Sequence, residues 1–138
     1  MSIEEIKLMA AYMTVHSDDD DECKCIGSSL MNKAVATMDK GGIANNTPAL
    51  EPEMEKEFFN LMQGIGKKET LDSYKRNLIV AGAIMSGNIK DSTNGATEFS
   101  KDKVKGSMST KNYNFYTPQT AEVIAESKSS KGRKTKRI

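Results

Sequence analysis

Four stretches of apolar residues at helical spacing, parted by glycine- and proline-rich breaks, constrain this chain more than any other feature. In the first, Ile6, Met9, Tyr12 and Met13 recur at the three- and four-residue intervals of one helix face. Ser2 and Glu5 form the S-x-x-E pattern of a capping box ahead of it, so a helix is predicted over residues 3–15. Ile26, Leu30, Ala34 and Met38 mark a second helix over 22–39, ended by Gly41 and Gly42. Asn45, Asn46 and two prolines make 43–52 a loop. Phe58, Leu61 and Met62 give a short helix over 54–62, stopped at Gly64 and Gly66. Thr70 is read as the cap of a fourth helix reaching residue 86, with Leu71, Leu78, Ile79, Ala83 and Ile84 on its core face and Gly87 as its stop. As the most apolar segment, that fourth helix is expected at the centre.

From residue 88 to 116 the pattern changes to Gly, Ser, Thr, Asn and Lys with isolated Phe99, Met108, Phe115 and Tyr116. This reads as a loop-rich lobe with room for a short β-hairpin. Thr117-Pro118 suits the start of a last short helix. Beyond it a Ser/Lys/Gly/Arg tail is expected to order only on a partner. The expected division is one mainly α domain over 1–117 and a short helix with a basic tail over 118–138.

Composition narrows the function classes. With 138 residues, no Trp and nine Met, the core must be built from Met, Ile, Leu and Ala rather than large aromatic anchors. A net charge of +1 argues against nucleic-acid binding by bulk charge. The charge is uneven, however. Asp18 to Asp21 and Glu22 form an acidic run, and Lys128, Lys131, Arg133, Lys134, Lys136 and Arg137 make a basic end. That end is the candidate for a charged partner: nucleic acid, an acidic face of a neighbouring subunit, or an anionic wall polymer. It has no interleaved aromatics for base stacking.

No stretch approaches the roughly 20 apolar residues of a membrane span. Glu4 and Glu5 stand where a secretory signal would carry basic residues, so no export signal is expected. Cys23 and Cys25 are too close for an easy disulfide and supply only half of a zinc site, with His16 the one other soft ligand. Two reduced thiols on a helix are expected, ahead of a metal site or redox chemistry, and no metal or cofactor is called for.

Three segments, in order, carry a resemblance. Residues 8–33 hold Tyr12 and then Gly27-Ser28-Ser29-Leu30-Met31-Asn32-Lys33. Residues 81–99 hold Ser86-Gly87, then Asp91, Thr93, Gly95, Ala96 and Phe99 in an Asp-x-Thr-x-Gly-Ala-x-x-Phe pattern. Residues 112–116 read Asn-Tyr-Asn-Phe-Tyr. Together these resemble the SleB-like cell-wall hydrolases, over about residues 1–116; the stretch 36–71 matches nothing in that pattern. The family closes with Gly-Asn-His-x-Phe-Tyr, and Tyr113 stands where it has histidine. The resemblance implies a small lysozyme-like helical fold and cleavage of peptidoglycan glycan strands by lytic transglycosylation.

That reaction needs a carboxylic acid, held at a raised pKa in a partly apolar cleft, to protonate the glycosidic oxygen. Counting back from Asn32 without gaps places Tyr12 at the family's aromatic, Thr14 at its first glutamate and Asp18 at its second acid. A threonine hydroxyl is far too weak an acid for the task. Asp18, one turn beyond Thr14 if the helix continues, or Glu22, is a candidate substitute. Glu98, inside the second motif, is another; its plainer reading is a surface carboxylate beside Lys101 and Lys103. His16 is expected at the surface, paired with Asp18 or Asp19. Tyr12, Gly95, Ala96, Phe99, Tyr113, Phe115 and Tyr116 would line a sugar-binding cleft on the resemblance, although core packing is the first reading for the aromatic residues Tyr12, Phe99, Phe115 and Tyr116.

Two main readings follow. One is a structural component of a phage virion that keeps a degenerate hydrolase fold, made in the host cytoplasm and docked to other virion proteins. The alternative is an active peptidoglycan hydrolase used in entry or lysis. A module that binds glycan without cutting it is a third.

Overall fold

The computed structural model describes residues 2–37, 42–104 and 107–117. They form four helices, α1 (Ile3–His16), α2 (Asp20–Ala36), α3 (Pro52–Met62) and α4 (Lys68–Met85). Three short strands follow: β1 (Glu98–Ser100), β2 (Met108–Ser109) and β3 (Asn114–Tyr116). The fold is mainly α with a small antiparallel sheet in the order β1-β3-β2. Phe99 lies opposite Phe115, and Met108 opposite the same Phe115 from the other edge.

Local chemistry sets the helix ends. Ser2 and Glu5 make the expected capping box, with the Glu5 amide donating to Ser2 Oγ at 3.2 Å and the Ser2 amide to Glu5 Oε1 at 3.4 Å. The acidic run is a helix start: Asp19 caps α2 by accepting from the Glu22 amide at 2.8 Å, and Asp20, Asp21 and Glu22 fill its first turn, where the helix dipole favours negative charge. Pro52 opens α3. Thr70 does not cap α4: the helix begins two residues earlier, after Lys67, and Thr70 lies within its first turn.

The centre belongs to α1 rather than α4. Met9, Ala10, Ala11 and Met13 are sealed from solvent, because α1 is packed by α2, α3 and α4 together. Its small residues Ala10 and Ala11 let these neighbours approach. Each fully buried Met or Ile side chain contributes roughly 1.5–3 kcal/mol. High apolar content misleads for α4, whose Ile79 is 77% exposed; only Tyr74, Asn77, Ala81 and Ile84 of that helix are buried. Where α2 crosses α1 and α4, Gly27 allows close contact: a Cβ there would stand 2.8 Å from Ile84 Cδ1 and 3.0 Å from Met13 Sδ. Cys23 and Cys25 are buried free thiols, and burial pushes the Cys23 thiol up to about 11, so it is inert at neutral pH.

The last helix expected after Thr117, the basic residues Lys128, Lys131, Arg133, Lys134, Lys136 and Arg137, and the expected end of the second helix at Met38 and Asp39 with its stop at Gly41 lie outside the described residues.

Candidate functional site

The motif residues bond to one another. Asp91 turns the chain after α4: its Oδ1 accepts from the Thr93 amide at 2.8 Å and from the Thr93 hydroxyl at 2.5 Å, and its Oδ2 accepts from the Gly95 amide at 2.8 Å. Asn94 and Gly95 take φ of 58° and 80°, left-handed values that Asn and Gly tolerate. Asn32 of α2 then clasps this turn, its amide donating to Asp91 Oδ2 at 3.1 Å and to the Ala96 carbonyl at 2.9 Å. Burial acts to raise the Asp91 pKa, but the donors from Thr93, Asn32 and Gly95 outweigh it and hold the carboxyl below its usual range. Gly95 and Ala96 thus build the clasp that fixes β1 to α2, and Ala96 is fully buried.

A second clasp involves Glu22, whose side chain is 0% exposed. Its carboxylate accepts from the Ser17 hydroxyl at 2.7 Å, the Asn112 amide at 2.6 Å, Asn112 Nδ2 at 3.0 Å and the Thr110 hydroxyl. Glu22 therefore does not reach an open cleft; it ties the β2–β3 turn to the α1–α2 junction.

The open cleft lies between α1, the 48–54 segment and the sheet. It measures about 460 Å³ and is lined by Tyr12, His16, Pro48, Ala49, Leu50, Glu51, Met54, Phe99, Ser100, Lys101 and Tyr113. Its wall is an aromatic cluster. Tyr12 stacks on His16 at 4.3 Å, while Phe99 meets His16 and Tyr113 edge-on, at 5.5 Å in each case. The Lys101 ammonium stands 5.9 Å from the centre of the Tyr113 ring. The Tyr12 hydroxyl donates to the Pro48 carbonyl at 3.1 Å and pins the 48–50 segment over the helix.

The structure brings Tyr12, Phe99 and Tyr113 into this cleft and leaves other candidates elsewhere. Phe115 is buried beneath it, stacked on Phe99 at 5.7 Å. Tyr116 ends the central strand β3, opposite Glu98. Glu98 pairs with Lys33 at 3.3 Å, a half-exposed bridge between β1 and α2 worth about 0–1 kcal/mol. Asp18 is exposed in the α1–α2 link, because Ser17 ends α1 before it.

Thr14 is buried on the far side of α1 from the cleft. Its hydroxyl donates to the Ala10 carbonyl at 2.7 Å and accepts from Asn77 Nδ2 of α4 at 2.9 Å. Tyr12 and His16, four residues apart, share the cleft face of the helix; Thr14, two residues from each, is turned roughly 200° from Tyr12.

Sequence reasoning missed Glu51, Lys101 and the placement of His16. Glu51 precedes Pro52 as the N-cap residue of α3, in a stretch with no recognisable motif. His16 is not an exposed partner of Asp18 or Asp19. Its Nδ1–H donates to the Tyr12 carbonyl at 2.8 Å, leaving Nε2 without a proton when the ring is neutral. Burial lowers its pKa most; the bond to Tyr12 opposes this and Lys101 adds to it. A group whose folded pKa is depressed stabilises the fold above its ordinary value and loses that contribution as pH falls through the folded pKa. His16 is the chain's one histidine, so its Cε1–H proton resonance is unambiguous. An NMR titration should give a midpoint below 6.5. A midpoint above 6.5 would mean an acidic partner and an exposed ring.

Among the described residues no group of His, Cys, Asp and Glu is arranged to hold a metal ion, and no helix is long and apolar enough to cross a membrane. No protein-family model, no curated protein and no solved structure matches this chain.

Proposed function

We propose that the chain is a noncatalytic structural component of a phage particle, built on the frame of a SleB-like cell-wall hydrolase. The observation that carries this reading is the cleft face of α1, which presents Tyr12 and His16 where a glycosidase needs a carboxylic acid. Thr14, at the position of the family's glutamate, spends its hydroxyl on Ala10 and Asn77. The frame itself is supported by how the motif residues meet: Asn32 clasps Asp91 and Ala96, and Asn112 clasps Glu22. In this reading the carboxylates of the motif region hold the fold together, and the basic end docks the subunit on other virion proteins.

The test is the composition of purified particles from a phage carrying this gene. Quantitative mass spectrometry should find the chain at a fixed copy number per particle. Abundance in the lysate with absence from particles would reject the structural assignment.

One observation favours an active hydrolase instead. Glu51 is the single carboxylate among the residues lining the cleft, and its charge acts on Tyr113. A hydrolase of this kind would use Glu51 as its acid, with the glycan laid along Phe99 and Tyr113.

A further inference from the structure

Tyr113 forms one wall of the cleft, and the turn that carries it is held from a distance. Thr110 and Asn112 both donate to Glu22, some 90 residues earlier in the chain. Within the turn the Tyr113 carbonyl accepts from the Thr110 amide at 2.9 Å and from the Thr110 hydroxyl at 3.4 Å. The strands on either side are two and three residues long, too short to fix the turn alone. We infer that Glu22 is the positioning residue for the Tyr113 wall, and that its carboxylate is a latch which acid releases, freeing residues 110–113 and widening the cleft while the helices stay folded.

The chemistry follows from the donor set. All four bonds need an acceptor; a protonated carboxyl offers a hydrogen to partners that already supply one. Burial acts to raise the Glu22 pKa, but the donors from Thr110, Asn112 and Ser17 outweigh it and hold the carboxyl below its ordinary value of 4.5. The latch is therefore closed above about 4.5 and opens as pH falls through the lowered value. Other ionisable groups surround it. Asp19, Asp20 and Asp21 share its helix turn, and Asp20 faces Arg76 of α4 at 3.9 Å. His16 ends α1, Lys111 lies in the turn, and Tyr113, Cys23 and Cys25 feel the Glu22 charge. The tyrosine and thiols stay protonated throughout the acid range, so the variant Glu22→Gln separates the latch from the aspartates and His16.

The inference rests on the cleft being the working surface of the proposed protein, but its readout uses neither glycan nor particle, so the two can fail separately. The experiment is amide hydrogen exchange on the full chain, corrected for intrinsic rates, at pH 7 and at pH 3.5. In wild type at pH 7 the Thr110 and Asn112 amides should be protected, and acid should cost them up to about tenfold at pH 3.5, the most that one carboxyl with an ordinary value of 4.5 can give one unit below it, while the Met9–Met13 amides of α1 lose little. Glu22→Gln should show the same turn-confined loss already at pH 7. Its Gly95 amide, held by Asp91, should keep its own acid response. Should Glu22→Gln fail to fold, Asn112→Ala removes one donor from the turn side and should lower protection there by about tenfold. Loss of protection in α1 by the same factor as in the turn would make Glu22 a strut of the whole fold and overturn the latch. Turn amides indifferent to both acid and substitution would overturn it equally.

Discussion

Thr14→Glu is expected to lower the stability of the fold by about 3 kcal/mol or more, and the melting temperature by about 10 °C, without creating hydrolytic activity. Thr14 is 9% exposed and packs against Asn77, itself 4% exposed. A longer, ionised side chain at that point would face the Asn77 amide donor, with the buried Cys23 thiol beside it, in a junction closed to solvent. Thr14→Val is the informative control. It keeps the shape, removes the hydroxyl, and leaves Asn77 Nδ2 with Cys23 Sγ at 3.6 Å as its remaining partner. Its cost should be about 1–2 kcal/mol. Denaturant midpoints rank the two variants. A Thr14→Glu protein as stable as wild type and able to cut glycan would mean that residue 14 faces the cleft, against the helix register described above.

Much of the architecture was readable from residue order. The start of α1 followed from the Ser2–Glu5 capping box, and the helical periods gave α2, α3 and α4 within a few residues. The position of each helix in the fold was less accessible. α4 is richer in large apolar residues, yet α1 is the core, because burial depends on how many neighbours a helix accepts. Ala10, Ala11 and Thr14 make α1 thin enough to be surrounded, whereas Ile79 has nothing packed over it. The strands were legible only as a region, since two or three residues cannot display a period.

The site was legible in the same partial way. Tyr12, Phe99 and Tyr113, named as cleft residues on the resemblance alone, stand at one opening, and Tyr12 and Tyr113 are also buried in the core. Thr14 and Asp18 were reached by counting along a motif, which says nothing of which way a side chain turns. Glu22, read as a candidate to reach into the cleft, is the most completely bonded carboxylate of the acidic run; its partners Thr110 and Asn112 lie far off in sequence, and no local pattern could pair them. His16 was placed at the surface by its acidic neighbours, but it is the geometry of α1 that stacks it on Tyr12, one turn back on the same face.

The expected absence of catalysis is the other large effect. General acid assistance is worth roughly 10²–10⁴-fold, and a glycosidic bond without it stays essentially uncut on the scale of an assay. Tyr12 cannot supply the proton at neutral pH: burial, with a smaller contribution from Tyr113, raises its phenol far above the ordinary value of 10. His16, with its pKa lowered, is neutral at pH 7 and holds its one ring proton on Tyr12, so it cannot supply the proton either. Release of soluble muropeptides from purified sacculi at pH 7, with wild type beside Glu51→Gln, decides whether this chain cuts the cell wall. Neither protein should release muropeptides above buffer. Release by wild type that Glu51→Gln abolishes would contradict this and make the chain a working wall hydrolase with Glu51 as its acid.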